Sequence, residues 1–276
     1  MRGRALDVRS PEESRDAVAA WLVGRTGLAV EEREDGTLVA FAPSRADAGA
    51  VLAELHAAFG GEVRAAARTL PDIAWQERWR EGLGPRQIGR LTVTPSWAAA
   101  PGGGAHTVVI DPETAFGTGE HASTRTALVL LDRHLRPGDR VLDVGSGSGI
   151  LAIAAAKLGA VRATGIELDE EAEPVARANA VRNGVAHRVR FVAGFAEALA
   201  PLLGPVELVL SNILRTTNVA LLAALRAALE PGGIAVFAGM ELSERERFLP
   251  ALAAADFVAL DDTVDDGWWA VAARRG

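Results

Sequence analysis

Val141-Leu142-Asp143-Val144-Gly145-Ser146-Gly147-Ser148-Gly149-Ile150 is the stretch of sequence that decides the fold. It begins with four mostly apolar, β-prone residues, continues with three glycines at alternate positions, and runs into the alanine-rich segment 151–157. This order predicts a strand, a tight turn and the start of a helix, where backbone N–H groups can hold a ligand. Side chains at the glycines would block the ligand and disfavour the backbone angles of the turn.

The ligand of this loop is indicated by Asp143 and by the spacing of the glycines. A carboxylate two residues before the first glycine would repel a pyrophosphate, whereas it would attract a ligand with an ammonium and a sulfonium. The spacing is G-x-G-x-G, and Ile150 stands where the dinucleotide fingerprint G-x-G-x-x-G has its third glycine. Glu167 ends the next predicted strand, 162–167, where a carboxylate can accept hydrogen bonds from both ribose hydroxyls. The pattern favours S-adenosylmethionine, with these contacts: Asp143, Gly145, Gly147, Gly149 and Glu167. The alternative is a tight β–α turn with Glu167 at the surface.

Composition excludes several classes of protein. At 276 residues and 49% hydrophobic content, the chain suits one large or two modest folded domains. The absence of cysteine rules out a disulfide framework and a thiolate metal site, and no metal is expected. No segment has the character of a signal peptide or membrane span, so a cytoplasmic protein is predicted. The net charge of −7 argues against a nucleic-acid partner and favours a basic one.

Residues 1–68 are predicted to form a small α+β domain with the order β-α-β-β-α-β of the ferredoxin-like split motif. Ser10-Pro11-Glu12-Glu13 combines an N-cap, a first-turn proline and a capping-box acid, and Ser44 is expected to cap the second helix. The segments expected as strands are 5–8, 27–32, 37–41 and 61–68. The domain has no catalytic constellation in its sequence, and His56 is interpreted as an ordinary helical histidine. It is therefore predicted to be a recognition or packing module.

Residues 69–95 are interpreted as a linker, in which Trp75 and Trp79 could anchor an interdomain helix or simply join linker to domain. Residues 96–276 would then be the cofactor-binding domain, an α/β doubly wound sheet of Rossmann-like type. Its remaining predicted strands are 107–110, 189–193, 206–210, 234–238, 257–260 and 268–272, and its predicted helices are 127–134, 151–157, 170–183 and 219–229. A further strand, 91–94, is predicted at the end of the linker.

A second informative stretch, 111–126, is rich in small and hydroxyl residues and leads into a predicted helix. It is interpreted as a loop that closes over the cofactor, with Thr124 donating a hydrogen bond and Phe116 covering the ligand beside Gly117 and Thr118. The alternative is a capped helix start with a glycine turn before it. His121 is a candidate proton acceptor, but a structural hydrogen bond within the loop is the favoured interpretation.

Three motifs together resemble the bacterial ribosomal protein L11 methyltransferase family. They are Asp-Pro-x-x-Ala-Phe-Gly-Thr-Gly-x-His-x-x-Thr at 111–124, the glycine loop from Asp143, and Ser211-Asn212-Ile213-Leu214 after the fourth strand. The resemblance implies a class I, S-adenosylmethionine-dependent enzyme that methylates lysine side chains and the N-terminal amine of one large-subunit ribosomal protein. It also implies that the N-terminal domain holds the substrate, and it identifies these cofactor contacts: Thr124, Gly145, Glu167 and Asn212.

Asn212 is hypothesised to orient the accepting amine through its side-chain oxygen or neighbouring carbonyls. Ile213-Leu214 replaces the proline pair of the Asn-Pro-Pro-Tyr type, which weighs against nucleic-acid and glutamine methyltransferases. Two features depart from the family: Glu167 stands where aspartate is usual, and the tract 215–218 is unexpected. The alternatives are a related protein-lysine or small-molecule methyltransferase and a non-catalytic cofactor-binding module. The oligomeric state is open, with a monomer favoured and no membrane partner expected.

Overall fold

The computed structural model describes residues 4–26, 30–33, 35–42, 45–69, 84–100, 104–111 and 121–276. Contacts within the chain divide it into two compact units, Met1–Glu81 and Gly82–Gly276, a division that falls inside the predicted linker. Trp75, Trp79 and Ser44, for which roles were predicted, lie outside the described residues. Within the ranges given, no helix is long and apolar enough to cross a bilayer.

The first unit contains a four-stranded antiparallel sheet in the order β2-β3-β1-β4. Its strands are β1 (Arg4–Arg9), β2 (Glu31–Glu32), β3 (Leu38–Ala42) and β4 (Arg64–Thr69), and its helices are α1 (Arg15–Thr26) and α2 (Arg45–Phe59). Leu6 and Val8, alternate residues of β1, pack against apolar residues of both helices. The helix residues are Val18 and Leu22 of α1 and Val51 and Leu55 of α2. The element order is the predicted one, β-α-β-β-α-β.

The start of the first helix differs from the prediction. Pro11 has φ −53° and ψ 149° and precedes a 3₁₀ turn, Glu12–Ser14, so the α-helix begins only at Arg15. No side chain caps this turn, and the buried Ser10 hydroxyl has no hydrogen-bond partner among the described residues. The predicted cap at Ser10 is wrong because the extended ψ of Pro11 keeps that residue out of the helix.

The second unit is built on a seven-stranded sheet in the order β10-β9-β8-β11-β12-β14-β13. The first five strands in that order are parallel, and β14 runs antiparallel between β12 and β13. The strands are β8 (Arg140–Val144), β9 (Arg162–Glu167), β10 (Val189–Ala193), β11 (Val206–Asn212), β12 (Leu229–Glu241), β13 (Phe257–Asp265) and β14 (Trp268–Arg275). A smaller sheet contains β5 (Arg86–Ile88), β6 (Leu91–Thr94) and β7 (Thr107–Val109).

Helices cover both faces of the large sheet, as a doubly wound fold requires. They are α3 (Ala122–His134), α4 (Ile150–Leu158), α5 (Ala172–Arg182), α6 (Ala196–Leu203), α7 (Arg215–Ala228) and α8 (Arg245–Ala254). One buried cluster includes residues of α3, α4 and α5, and a second cluster includes residues of α6, α7 and α8. The chain passes from β8 outward to β10 and then returns to β11 on the other side of β8. This reversal places a ligand crevice at the carboxyl ends of β8 and β11.

The predicted α/β doubly wound class is confirmed, but several elements differ from the prediction. Helices α6 and α8 were not predicted, and each contains a proline, Pro201 and Pro250 respectively, that is atypical of a helix interior. Helix α7 begins at Arg215 rather than 219, and α3 begins at Ala122 rather than 127. The predicted helix 219–229 extends one residue too far and the predicted strand 234–238 is too short, because β12 runs from Leu229 to Glu241.

Candidate active site

The glycine loop joins β8 to α4 in the conformation that its sequence predicted. Gly145, Gly147 and Gly149 have φ values of 71°, 48° and 81°, in the left-handed region that other residues rarely adopt. A Cβ on Gly149 would lie 2.6 Å from the ring carbon Cζ of Phe191, and one on Gly145 would lie 2.5 Å from Cγ2 of Ile213. Both the backbone angles and the close neighbours therefore require glycine.

Asp143 lies at the end of β8, directly beneath this loop, and is almost fully buried. Its Oδ2 accepts a hydrogen bond of 3.0 Å from the backbone N–H of Ala152 in the first turn of α4. Its Oδ1 is buried and has no hydrogen-bond partner in the described part of the chain. Burial raises the pKa of Asp143 to about 7, the negative charge of Glu167 adds to this, and the Ala152 N–H opposes it. A positive charge placed nearby would favour the ionised form of this carboxyl.

Glu167 ends β9, as predicted, and its carboxylate is anchored to the backbone. Oε2 accepts a bond of 2.8 Å from the N–H of Gly147, and Oε1 accepts from the N–H groups of Leu168 and Asp169 at 2.8 and 3.1 Å. The carboxylate therefore fixes the glycine loop against the end of β9. It is half-buried and borders the same cavity as the loop.

Asn212 ends β11 on the opposite side of β8 and points its amide toward helix α3. Its Nδ2 donates a hydrogen bond of 3.3 Å to Oγ1 of Thr124, a side chain with no exposed surface. The Oδ1 of Asn212 is buried and finds no hydrogen-bond partner within the described ranges. Among the described residues, the amide thus donates to Thr124 and has no donor bound to its oxygen.

His121 forms the N-cap of α3. Its Nδ1 accepts from the backbone N–H of Ser123 at 3.3 Å and lies 2.8 Å from the Ser123 hydroxyl. The ring also packs edge-to-face on Trp268, with 4.5 Å between the ring centroids. These contacts are the structural hydrogen bonding favoured for His121 by the sequence. The other predicted loop contacts, Phe116, Gly117 and Thr118, lie outside the described residues.

These elements surround a cavity of about 230 Å³ at the carboxyl ends of β8, β9 and β11. It is lined by Gly145, Ser146, Gly147, Ile150, Leu151, Glu167, Asn212 and Ile213. Three buried side-chain oxygens at or beneath it have no hydrogen-bond partner among the described residues, namely Asp143 Oδ1, Ser146 Oγ and Asn212 Oδ1. Buried acceptors without partners are costly, so these oxygens suit a ligand that brings hydrogen-bond donors or positive charge.

Ser146 contributes to the cavity but was not singled out from the sequence. It occupies a variable position of G-x-G-x-G, and nothing in the pattern distinguishes it. Ile213 also lines the cavity, and its Cγ2 lies against the Gly145 position. The sequence analysis used Ile213 only because Ile213-Leu214 stands where the Asn-Pro-Pro-Tyr type has its proline pair, and it assigned Ile213 no contact with the cavity.

A doubly wound sheet with a G-x-G-x-G loop and buried acceptors at its switch point defines a Rossmann-like, class I methyltransferase. The family model described as "Ribosomal protein L11 methyltransferase" matches residues 13–276. The chain therefore belongs to the ribosomal protein L11 methyltransferase family.

Individual relatives agree with this assignment. A ribosomal protein L11 methyltransferase of Thermus thermophilus is 43% identical over 204 residues, which cover 74% of this chain and 78% of the relative. One from Pseudomonas putida is 37% identical over 240 residues, covering 86% and 81% of the two chains. The crystal structure of a ribosomal protein L11 methylase from Lactobacillus delbrueckii subsp. bulgaricus superposes with a TM-score of 0.63 at 28% identity. The match covers 70% of this chain and all of that one.

Proposed function

We propose that this protein transfers the methyl group of S-adenosylmethionine to amino groups of ribosomal protein L11, namely lysine side chains and the N-terminal amine. Membership of the L11 methyltransferase family supports the reaction class and the substrate. The observation that supports amine methylation most directly is the buried, available Oδ1 of Asn212 beside the cavity of the glycine loop. Since the substrate is a ribosomal protein, we expect the reaction in the cytoplasm.

The residues on the glycine-loop side of the cavity fit the cofactor. Asp143 and the loop of Gly145, Gly147 and Gly149 would hold its cationic methionine end, and Glu167 would accept hydrogen bonds from the ribose. Bound there, S-adenosylmethionine supplies a methyl group on a positively charged sulfur, which is already electrophilic. The protein's own task is therefore to orient the accepting amine and to keep it neutral.

Asn212 is the residue we assign to that orientation. Its Nδ2 is held by Thr124, so the amide cannot turn over without losing this bond, and Oδ1 keeps one direction. An N–H of a neutral amine can donate to Oδ1 and thereby direct its lone pair. Fixed orientation of this kind lowers reaction barriers by up to about 7–11 kcal/mol in favourable cases.

The amine must also lose a proton, because free lysine has a pKa of about 10.4. An amine drawn out of water into the cavity has its charged form disfavoured, and its pKa falls. His121 remains a candidate acceptor for that proton. Its Nδ1 already accepts from the Ser123 N–H, which places the proton of the neutral ring on Nε2, so proton acceptance would have to displace this cap hydrogen bond.

The test is mass spectrometry of purified L11 after incubation with this protein and isotopically labelled S-adenosylmethionine. We expect labelled methyl groups, in steps of one, on lysines or the N-terminal residue. Omission of the cofactor and use of the Asn212→Ala variant are the controls. Cofactor binding together with L11 that stays unlabelled would contradict the proposed substrate.

A further inference from the structure

We propose that Asn218 is a positioning residue that holds the segment carrying Asn212 in register with the glycine loop. This inference rests on the proposed function, because it assigns Asn218 a part in the use of Asn212. Asn218 lies in the first turn of α7 and is completely buried. It occupies a face shared with Leu221, Leu222 and Leu225, so an amide here is a polar group in an apolar row.

Both polar atoms of the Asn218 side chain form hydrogen bonds inside the protein. Its Oδ1 accepts from the hydroxyl of Ser211 at 2.7 Å, on one side of Asn212 in the sequence. Its Nδ2 donates to the carbonyl oxygen of Ile213 at 3.0 Å, on the other side, and to that of Ala238 in β12 at 3.1 Å. The residues before and after Asn212 are thus both tied to one rigid amide.

The same segment is confined from two other directions. Gly239 has φ 81°, and a Cβ there would overlap the backbone of Ile213, so the two chains lie in direct contact. On the cavity side, the Ile213 side chain reaches the position of Gly145. Asn212 therefore lies on a short segment that is held by hydrogen bonds to Asn218 and by direct contacts with Gly239 and with the glycine loop. Of these three, only Asn218 acts through hydrogen bonds that fix its direction.

Loss of the Asn218 amide would leave the Ser211 hydroxyl and two carbonyl oxygens unpaired in the interior. We expect the segment to relax by turning these groups toward other partners, which moves Oδ1 of Asn212. The contacts of Asp143 and Glu167 do not include Asn218, so cofactor binding should be largely retained. The expected signature is a loss of turnover with little change in cofactor affinity.

The experiment is a double-mutant cycle with Asn218→Leu and Asn212→Ala, measured as kcat for L11 methylation and as cofactor affinity by calorimetry. If Asn218 acts through Asn212, Asn218→Leu lowers kcat by about 10- to 100-fold alone, because small misplacements are costly. In the Asn212→Ala background it changes kcat by less than about threefold. Equal losses in the two backgrounds, or a parallel loss of cofactor affinity, would overturn the proposal.

Asn183→Leu is the matched control. Asn183 is a second buried asparagine, and its side chain accepts from the N–H of Val109 and donates to the carbonyls of Val109 and Asn179. Its substitution removes a similar number of buried hydrogen bonds, but from β7 and α5 rather than from the Asn212 segment. We expect a comparable loss of thermal stability, with the same effect on kcat whether or not Asn212 is present.

Two further measurements test the proposal when Asn218→Leu does not fold or when turnover cannot be measured. If Asn218→Leu does not fold, Ser211→Ala removes one of the three hydrogen bonds and should show the same non-additivity on a smaller scale. Amide hydrogen exchange does not require turnover: exchange at 212–215 should quicken in the folded variant, while exchange at 144–150 stays unchanged. An unmethylated L11 with wild-type protein would reject the proposed function, whereas unchanged exchange at 212–215 would reject this inference.

Discussion

The two sides of the cavity are held in place by different means. On the glycine-loop side, defined by Asp143, residues 145–149 and Glu167, both carboxylates bind backbone N–H groups, and Asn179 adds one hydrogen bond to the Ser148 carbonyl. On the Asn212 side, defined by Thr124, residues 211–214 and Asn218, the hydrogen bonds are made between side chains or from a side chain to a carbonyl. On the first side, backbone groups form the surface that receives the ligand. On the second side, hydrogen-bonded amide and hydroxyl side chains fix the direction of the Asn212 Oδ1. We infer that affinity for the cofactor and orientation of the amine can be altered separately.

The largest effect is expected from Gly149→Ala. The substitution puts a Cβ at φ 81°, 2.6 Å from the Phe191 ring, and the loop must shift to accommodate it. The left-handed backbone alone costs about 1–2 kcal/mol, and we expect cofactor affinity, measured by calorimetry, to fall by at least about 100-fold.

Gly184→Ala is the control for that substitution. Gly184 has φ 69°, and a Cβ there meets nothing within 4 Å. It should reproduce the backbone cost in thermal stability and leave cofactor affinity unchanged. Normal cofactor binding by Gly149→Ala would mean that the glycine loop is not the cofactor site.

On the other side of the cavity, Asn212→Ala removes the available acceptor and the partner of Thr124. We expect kcat to fall by about 100-fold, the size of loss that follows from misplacing a reacting group. Cofactor affinity should fall by less than about 10-fold, because the carboxylates and the glycine loop are untouched. Single-turnover methylation of L11 and equilibrium binding separate the two effects. A variant that loses affinity and turnover equally would remove the distinction between the two sides.

Asp143 gives the glycine-loop side a pH dependence. Its folded-state pKa of about 7 lies above the usual value of 3.8, so the folded protein holds this proton more tightly than the unfolded chain. Stability of the cofactor-free protein should therefore decrease as pH rises from about 4 to 7, by roughly 2–4 kcal/mol. A cationic ligand favours the ionised carboxyl, so cofactor affinity should rise over the same approach to neutral pH.

Asp143→Asn tests both pH dependences, that of stability and that of cofactor affinity. It removes the ionisation, so its melting temperature and its cofactor affinity should both vary less with pH between 5 and 8, roughly the range around the cited pKa. At the upper end it should be more stable than the wild type without cofactor and bind the cofactor more weakly. Unchanged slopes in the variant would assign the pH dependence to another group.

The smallest effect is expected from His121→Ala. Removal of an N-cap costs about 1 kcal/mol, which calorimetric or fluorescence melts can detect. His121→Asn, which supplies another good cap, should recover most of that stability. We expect kcat to change by less than about threefold in both variants. A large loss of kcat in His121→Asn, with the stability restored, would instead support His121 as the proton acceptor.

The difference between the two sides also explains what the sequence could predict. Glycines at alternate positions directly indicate a backbone with positive φ angles, so spacing alone was enough to locate the loop. The same spacing located Asp143 before the loop and Glu167 at the end of the next strand. Asn218 could not be assigned, because its partners lie 5 to 20 residues away and are chosen by the packing of α7 on β11 and β12. A polar residue in the apolar row of α7 was the available signal.

The secondary-structure predictions also differ between elements that the local sequence indicates and elements that depend on tertiary packing. Strands β9 and β10 have the predicted bounds, with Gly159 shortly before β9 and Gly194 directly after β10 as turn residues. Helix α6 was missed because it is short and contains Pro201, although Ala196, Leu199, Ala200 and Leu203 pack on the core at helical spacing. Tertiary packing rather than local propensity decides such a segment.

The most direct test of the account is to compare intact L11 after incubation with cofactor and three proteins, wild type, Asn212→Ala and Gly149→Ala. Cofactor binding by each protein is measured in parallel. The account predicts rapid methylation of L11 by the wild type, methylation about 100-fold slower by Asn212→Ala, and normal or near-normal cofactor binding by Asn212→Ala but not by Gly149→Ala. Methylation by Asn212→Ala at the wild-type rate would contradict it.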